Sequence, residues 1–308
     1  MQIFRHFYRL DSGPLALAIG KFDGVHLGHQ ALLRELVATA RARGLIAAVM
    51  TFEPHPLEFF RPAQAPARMT TLREKLELFA AAGVEQVYIC RFNAQFAAVT
   101  AADFMHKILR GSLHAEIILV GEDFQFGAGR SGSVADFRAN GFECVSLSHV
   151  HLDGARISST RVREALADGD LERAWQLLGR PYSISGRVVH GDKVGRTLGY
   201  PTANIHLPVE RPLQFGIYAV KLEGVDETQL PGVASFGIRP TMKQDGAPVL
   251  EVHVFDFDRQ IYGAHVRVHF LHKIRDEMKF PDPETLRQWM IADEENARDY
   301  FKGLTETR

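Results

Sequence analysis

Apolar positions follow two different rhythms along the chain. Up to about residue 180, short apolar runs alternate with segments that repeat every three to four residues. Leu15 to Gly20, Leu45 to Phe52, Gln86 to Arg91, Ala115 to Val120 and Glu143 to Leu147 are the runs, and each predicts a strand. Between the first two, Leu32, Leu33, Leu36, Val37 and Ala40 form one stripe of a helix that begins near His26. Arg41, Arg43 and Gly44 supply its stop signal. Thr71-Leu72-Arg73-Glu74 is a capping-box pattern for a helix to about Ala82, with Gly83 behind it. Thr100 caps a further helix over Ala101 to Arg110. Strands that alternate with helices predict an α/β, Rossmann-like unit whose mostly parallel sheet is covered on both faces. Ligands of such sheets bind outside the carboxyl ends of the strands.

After Arg180-Pro181 the period becomes two. Ser183 to His190, Ile217 to Leu222, Val249 to Phe257 and Ala264 to Leu271 alternate between apolar and polar residues, separated by turns bearing Gly and Pro. That pattern predicts an antiparallel β unit, a small barrel. Asp282-Pro283 then opens a terminal helix, with Leu286, Met290, Ala297 and Phe301 on one face. The expected domains are 1–180 and 181–308.

Composition narrows the field. The 308 residues are 46% apolar and 24% charged, which excludes disordered and collagen-like classes. The longest apolar run, Leu45 to Met50, is far short of the roughly 20 residues that span a membrane. Lys and Arg number 36 against 37 Asp and Glu, so no basic excess marks a nucleic-acid coat, and no nucleic-acid or membrane partner is expected. Cys90 and Cys144 are the two cysteines, too far apart in sequence for a zinc knuckle and too few for a disulfide framework. With no signal-peptide pattern after Met1, the expected location is the cytoplasm. His265, His269 and His272 lie in a period-2 segment and read as strand surface rather than metal ligands. No oligomeric state is implied.

Candidate chemistry is densest at Gly20-Lys21-Phe22-Asp23-Gly24-Val25-His26-Leu27-Gly28-His29, between the first strand and the first helix. Gly20 and Gly24 permit a tight turn and close approach of the backbone to a ligand. His26 and His29 share one face of the opening helical turn, where unpaired N–H groups already favour an anion. Gly28 between them leaves room for a flat nucleotide. Later, Ile157-Ser158-Ser159-Thr160-Arg161-Val162-Arg163 opens a helix running to about Ala167. Its hydroxyls suit helix capping, and with Arg163 they also suit a triphosphate clamp. The pair of motifs points to nucleotidyl transfer, in which a phosphate attacks the α-phosphorus of ATP and pyrophosphate leaves. Such chemistry relies on positioning and charge stabilisation. On these residues the first half resembles the H-x-G-H nucleotidyltransferases, in the version found in prokaryotic FAD synthetases. Gly121-Glu122-Asp123-Phe124-Gln125-Phe126-Gly127 also matches, and the resemblance implies that Asp123 helps to hold the flavin.

A second constellation lies in the β half. Gly186 to Arg196 contains Gly191, Lys193 and Arg196, suited to phosphate, and Leu198-Gly199-Tyr200-Pro201-Thr202-Ala203-Asn204 follows. Thr202 and Asn204 are two apart, so an extended chain points both the same way, and a hydroxyl with an amide oxygen suits Mg²⁺. Together with Gly237-Ile238-Arg239-Pro240-Thr241 and Leu250-Glu251-Val252-His253, residues 181 to 302 resemble riboflavin kinases. The resemblance implies that Glu251 is the catalytic base toward the terminal ribityl hydroxyl, and that Arg275 and Phe280 close over the flavin. Ile238 departs from the polar residue frequent in that family. That departure bears on a polar contact there, not on the activity.

Both resemblances, in this order, cover nearly the whole chain. They identify it as a member of the prokaryotic bifunctional riboflavin kinase/FAD synthetases (FMN adenylyltransferases). ATP is then the co-substrate, Mg²⁺ the expected cofactor, and riboflavin, FMN and FAD the substrates and products. Two other readings follow from the same residues: one working module with the other a flavin-binding regulator, or an RNA-binding protein. The intact His26, His29, Thr202, Asn204 and Glu251 speak against the first. The neutral charge speaks against the second.

Overall fold

The computed structural model describes residues 1–6, 13–191, 199–238 and 248–306. The chain divides into two compact units, Met1–Ser159 and Thr160–Arg308. The predicted Lys193 and Arg196, and Arg239 to Thr241, lie outside the described residues. Among the described residues no helix is long and apolar enough to cross a membrane.

In the first unit β1 (Gln2–Phe4), β2 (Leu15–Ile19), β3 (Ile46–Glu53), β4 (Gln86–Arg91), β5 (Ala115–Gly121), and Glu143–Leu147 form one six-stranded sheet. Every pairing in it is parallel. The order from edge to edge is β1, β4, β3, β2, β5 and then Glu143–Leu147, so the order reverses between β2 and β5. The carboxyl ends of those two strands therefore flank the crevice where such sheets bind ligands. Burial on both faces explains the continuous apolar runs. Leu15, Leu17 and Ile19 face one core, with Phe104, Phe126 and Phe137. Ala16 and Ala18 face the other, where small side chains let Leu33 and Leu36 of α1 (Leu27–Arg43) pack close to the strand. Gly44 ends α1 in a left-handed conformation, its N–H bonded to the Ala40 carbonyl, as the stop signal predicts.

Shorter helices complete this unit: α2 (Pro56–Phe60), α3 (Leu72–Ala81), α4 (Ala94–Ala97), α5 (Ala101–Asp103) and α6 (Val134–Ala139). Thr100 caps α5 as expected, but the turn widens to π winding over Phe104–Ser112, shown by the Leu113 N–H bonding to the Ile108 carbonyl. The hairpins β6 (Gln125–Phe126) with β7 (Gly132–Ser133) and, beyond the edge strand β8 (Glu143–Leu147), β9 (His151–Leu152) with β10 (Ala155–Arg156) have two-residue arms, too short to leave a period.

The division by contacts falls earlier than the change in hydrophobic period. Helices α7 (Ser159–Ala167) and α8 (Leu171–Leu178) carry helical stripes like those of the first half, yet from Thr160 onward they belong to the second unit. There the Gln214 N–H bonds to the Leu166 carbonyl at 2.9 Å. The second unit is a closed antiparallel barrel of β11 (Tyr182–Val189), β12 (Ala203–Ile205), β13 (Gly216–Glu223), β14 (Leu230–Ile238), β15 (Pro248–Val254) and β16 (His265–Asp276). Inward positions alternate as predicted on the expected strands: Tyr218, Val220, Leu250, Val252, Val268 and Phe270 are buried. His265, His269 and His272 take alternate or end positions on β16, away from that interior. The pattern hides the three-residue β12 and also the long β14, which Pro231, Gly232 and Gly237 interrupt. Gly232 is required there, since a β-carbon would meet the His253 carbonyl of β15. The terminal helix α9 (Pro283–Glu306) starts at the predicted proline and buries Ala297 against Ala219 and Phe255 on the outside of the barrel.

Candidate active sites

The loop from Gly20 to His26 leaves the carboxyl end of β2 and delivers two histidines to the start of α1. His26 is the N-cap, and its Nδ1 accepts the His29 N–H at 3.3 Å. An imidazole that accepts at Nδ1 carries its proton at Nε2, so this ring offers an N–H donor there. The two rings stack with centroids 3.8 Å apart. Gly28 is needed for this, because a β-carbon would press on the His26 ring at 3.1 Å. His29 Nδ1 is closed off from solvent and makes no hydrogen bond among the described residues. Burial, coupling to the neighbouring His26 ring, and the positive charges of Lys21 and Lys75 hold the His29 ring well below its ordinary range. It is therefore a neutral ring in a field that favours an arriving anion.

Phe22 and Asp23 build the loop instead of lining it. Phe22 is fully buried, edge-on to Phe79 at 5.2 Å and 5.1 Å from His29. Gly20 makes room for its ring. Both Phe22 (φ 54°) and Val25 (φ 41°) hold left-handed backbone, which strains a bulky or branched residue. Asp23 keeps that conformation in place. Its buried carboxylate accepts the Met69 N–H at 3.2 Å, and the Thr70 N–H and hydroxyl at 3.0 Å each. Thr70 Oγ1 in turn accepts the Gly24 N–H at 3.0 Å. A β-carbon on Gly24 would strike Met69. The loop and the segment before α3 are thus one braced piece.

Ser159 joins this piece, its hydroxyl donating to the Asp23 carbonyl at 3.2 Å. Thr160 and Arg163 follow on α7 within the second unit. Asp123 lies just past β5, on the other side of the strand-order reversal from the histidines. Partial burial pushes its carboxyl up, but Arg156, bonded at 2.8 Å, and the nearby His149 more than reverse that and leave it below the usual range. Neither partner stands out in the sequence.

In the barrel, register does what sequence spacing cannot. Asn204 of β12 lies opposite Glu251 of β15, and Glu251 lies opposite Ser235 of β14. Facing residues of paired strands project to the same side, so an amide, a carboxylate and a hydroxyl form one outward row. Gly191 lies so close to Asn204 that a β-carbon would fall on its amide. Thr202 precedes β12 by one residue, and His253 Nδ1 ties the neighbouring Pro201 carbonyl at 2.9 Å. Among the described residues no group of three His, Cys, Asp or Glu is placed to hold a metal. A hydroxyl and an amide beside a carboxylate nevertheless fit Mg²⁺, which fills its octahedron with phosphate oxygens and water.

The same outward row continues through Ile217 of β13 to Arg275 of β16. Arg275 is fixed by Asp293 of α9 in a fork of 2.8 and 2.6 Å, both side chains largely shielded from water. Its guanidinium lies 5.6 Å from the Phe280 ring and 5.2 Å from Trp289. The expected partners Arg275 and Phe280 are therefore neighbours, and Asp293 and Trp289 are the residues that the sequence reading missed. Ile238 is exposed at the end of β14.

Comparison with known proteins finds two families along the chain. The family model for FAD synthetase matches residues 9–161, and that for riboflavin kinase matches residues 178–301. A bifunctional riboflavin kinase/FMN adenylyltransferase of Escherichia coli strain K12 is 45% identical over 99% of both chains. One from Haemophilus influenzae is 45% identical over 94% of both. A crystal structure of a macrolide-efflux protein from Streptococcus pneumoniae aligns with a TM-score of 0.81 at 35% identity, over 97% of this chain and 99% of that one.

Proposed function

The chain belongs to the bifunctional riboflavin kinases/FMN adenylyltransferases, and from that membership we propose how its residues divide the two reactions. It phosphorylates riboflavin to FMN and adenylylates FMN to FAD. We assign adenylyl transfer to residues 1–180 and phosphorylation to residues 181–308. The assignment of 160–180 to the transferase rests on the hydroxyl-rich start of α7.

In the transferase, a phosphate oxygen of FMN attacks the α-phosphorus of ATP. The bond to the bridging oxygen breaks and pyrophosphate leaves. His26 and His29, with the N–H groups opening α1, stabilise the charge that gathers on the phosphates. Ser159, Thr160 and Arg163 act on the triphosphate from the start of α7, and Asp123 holds the flavin. Gly20, Phe22, Asp23, Gly24 and Gly28 shape the backbone that the nucleotide meets. The observation that carries this reading is the braced, stacked pair of His26 and His29 beside the strand-order reversal. No general acid or base is required, because positioning and charge stabilisation suffice.

In the kinase, Glu251 takes the proton of the terminal ribityl hydroxyl as that oxygen attacks the γ-phosphorus, and ADP leaves. Thr202 and Asn204 would hold Mg²⁺, which supplies neutralising charge to the phosphates when bound. Gly191, Lys193 and Arg196 bind nucleotide, and Arg275 with Phe280 encloses the flavin. We place both reactions in the cytoplasm, a reducing compartment in keeping with Cys90 and Cys144 as free thiols. The test is one incubation with riboflavin, ATP and Mg²⁺, followed by flavin chromatography. FMN should appear first and FAD after it. FAD without prior FMN, or neither product, would overturn the proposal.

A further inference from the structure

We propose that Lys75 is a phosphate ligand of the adenylyl-transfer site, its ammonium contacting the triphosphate of ATP beside His29. This rests on the reading of residues 20–29 as the transferase's phosphate cradle.

Lys75 lies in the first turn of α3 and is only 5% exposed. Its neighbours on that helix, Leu72, Leu76 and Phe79, pack into the core with α1. A lysine almost never stays so buried without a partner. Among the described residues its ammonium makes no hydrogen bond and no ion pair. The carboxylates within its electrostatic reach are Glu53 of β3, Asp23 of the loop and Glu58 of α2. None of them bonds it among the described residues, although Glu53 Oε2 is itself buried without a hydrogen bond. Glu53 bonds Arg68 at 2.7 Å, Glu58 grips the same guanidinium, and Asp23 holds Met69 and Thr70. The three ammonium donors are thus left for something that the protein does not supply.

Direction follows from what feels the charge. The positive field of Lys75 reaches His29, together with that of Lys21. Lys75 is also repelled by Arg68. Geometry agrees: the Phe22 ring lies 5.1 Å from His29 and 5.2 Å from Phe79, one turn of α3 beyond Lys75, so an imidazole with an unbonded nitrogen and a buried ammonium flank the same braced loop. Two such donors are unfavourable alone and favourable once an anion bonds both. The Asp23 brace fixes the distance between them, because it joins the histidine loop to the segment from which α3 starts.

The test is Lys75→Met, which keeps length and removes charge. With ATP varied, kcat/KM for FMN-to-FAD transfer should fall roughly 100-fold, the usual scale for losing one preorganised donor. Riboflavin phosphorylation by the same protein should be unchanged. The acid limb of the transfer rate should move to higher pH, since His29 then loses a like charge. Thermal unfolding without ligand should be unchanged or higher, because an uncompensated buried charge has gone. Unchanged transfer, or a lower unfolding temperature whatever the transfer rate, would overturn the proposal and make Lys75 a structural ion. His29→Ala is run beside it: if that variant also transfers at the wild-type rate, the cradle reading itself fails.

Discussion

Asp23 braces the loop that carries the proposed transfer site. Its three hydrogen bonds to residues 69 and 70 hold Phe22 and Val25 in left-handed backbone, which positions His26. Asp23→Ala should lower the stability of the first unit by about 3 kcal/mol, since several charge-assisted bonds are lost and two buried N–H groups are orphaned. FMN-to-FAD transfer should fall with it while riboflavin phosphorylation persists; denaturant unfolding and the two assays check this. His29 carries a pH signature. Its folded-state ring binds a proton less readily than the ordinary 6.5 of the unfolded chain. The unfolded state therefore binds more protons as pH falls, so stability present above 6.5 is lost as pH drops from there toward the folded-state value. Urea unfolding of wild type and His29→Asn between about pH 7.5 and about pH 5 should show a shallower loss in the variant. An equal slope would assign the loss to other groups. Lys75 was legible in principle, as a charge set three residues after Leu72 and four before Phe79 on an apolar stripe.

At the scale of elements, legibility followed length and regularity. Five of the six parallel strands and the long α1 came from the apolar pattern alone, because burial on both faces leaves continuous apolar runs in the central ones; the three-residue β1 did not. β14 did not, since close strand contact required glycine where a period needs side chains. The motifs gave the candidate residues, but not the pairing of Asn204, Glu251 and Ser235, which register alone creates. Nor did they give Asp293, a long-range partner on α9. Two substitutions test these elements. Gly191→Ala should displace the Asn204 amide and reduce riboflavin phosphorylation at least tenfold, leaving transfer intact, where a single misplaced ligand commonly costs that much. Asp293→Ala should raise KM for riboflavin more than it lowers kcat, because Arg275 loses the fork that aims it. It should also destabilise the barrel by about 3 kcal/mol, the scale for breaking a buried pair.

At the scale of the molecule, a formal charge of −1 coexists with two phosphate-handling sites. In the proposed assignment the phosphate ligands are local: helix N–H groups, two imidazoles and a few cations. The two family models match separate stretches of the chain, so each activity should be removable alone. Flavin chromatography of Glu251→Gln and His29→Ala, each supplied separately with riboflavin and with FMN in the presence of ATP and Mg²⁺, tests that claim most directly. Glu251→Gln should leave riboflavin unchanged yet convert FMN to FAD at the wild-type rate, and His29→Ala should turn riboflavin into FMN that accumulates without FAD. Loss of both reactions in either folded variant, or the opposite assignment, would contradict the account.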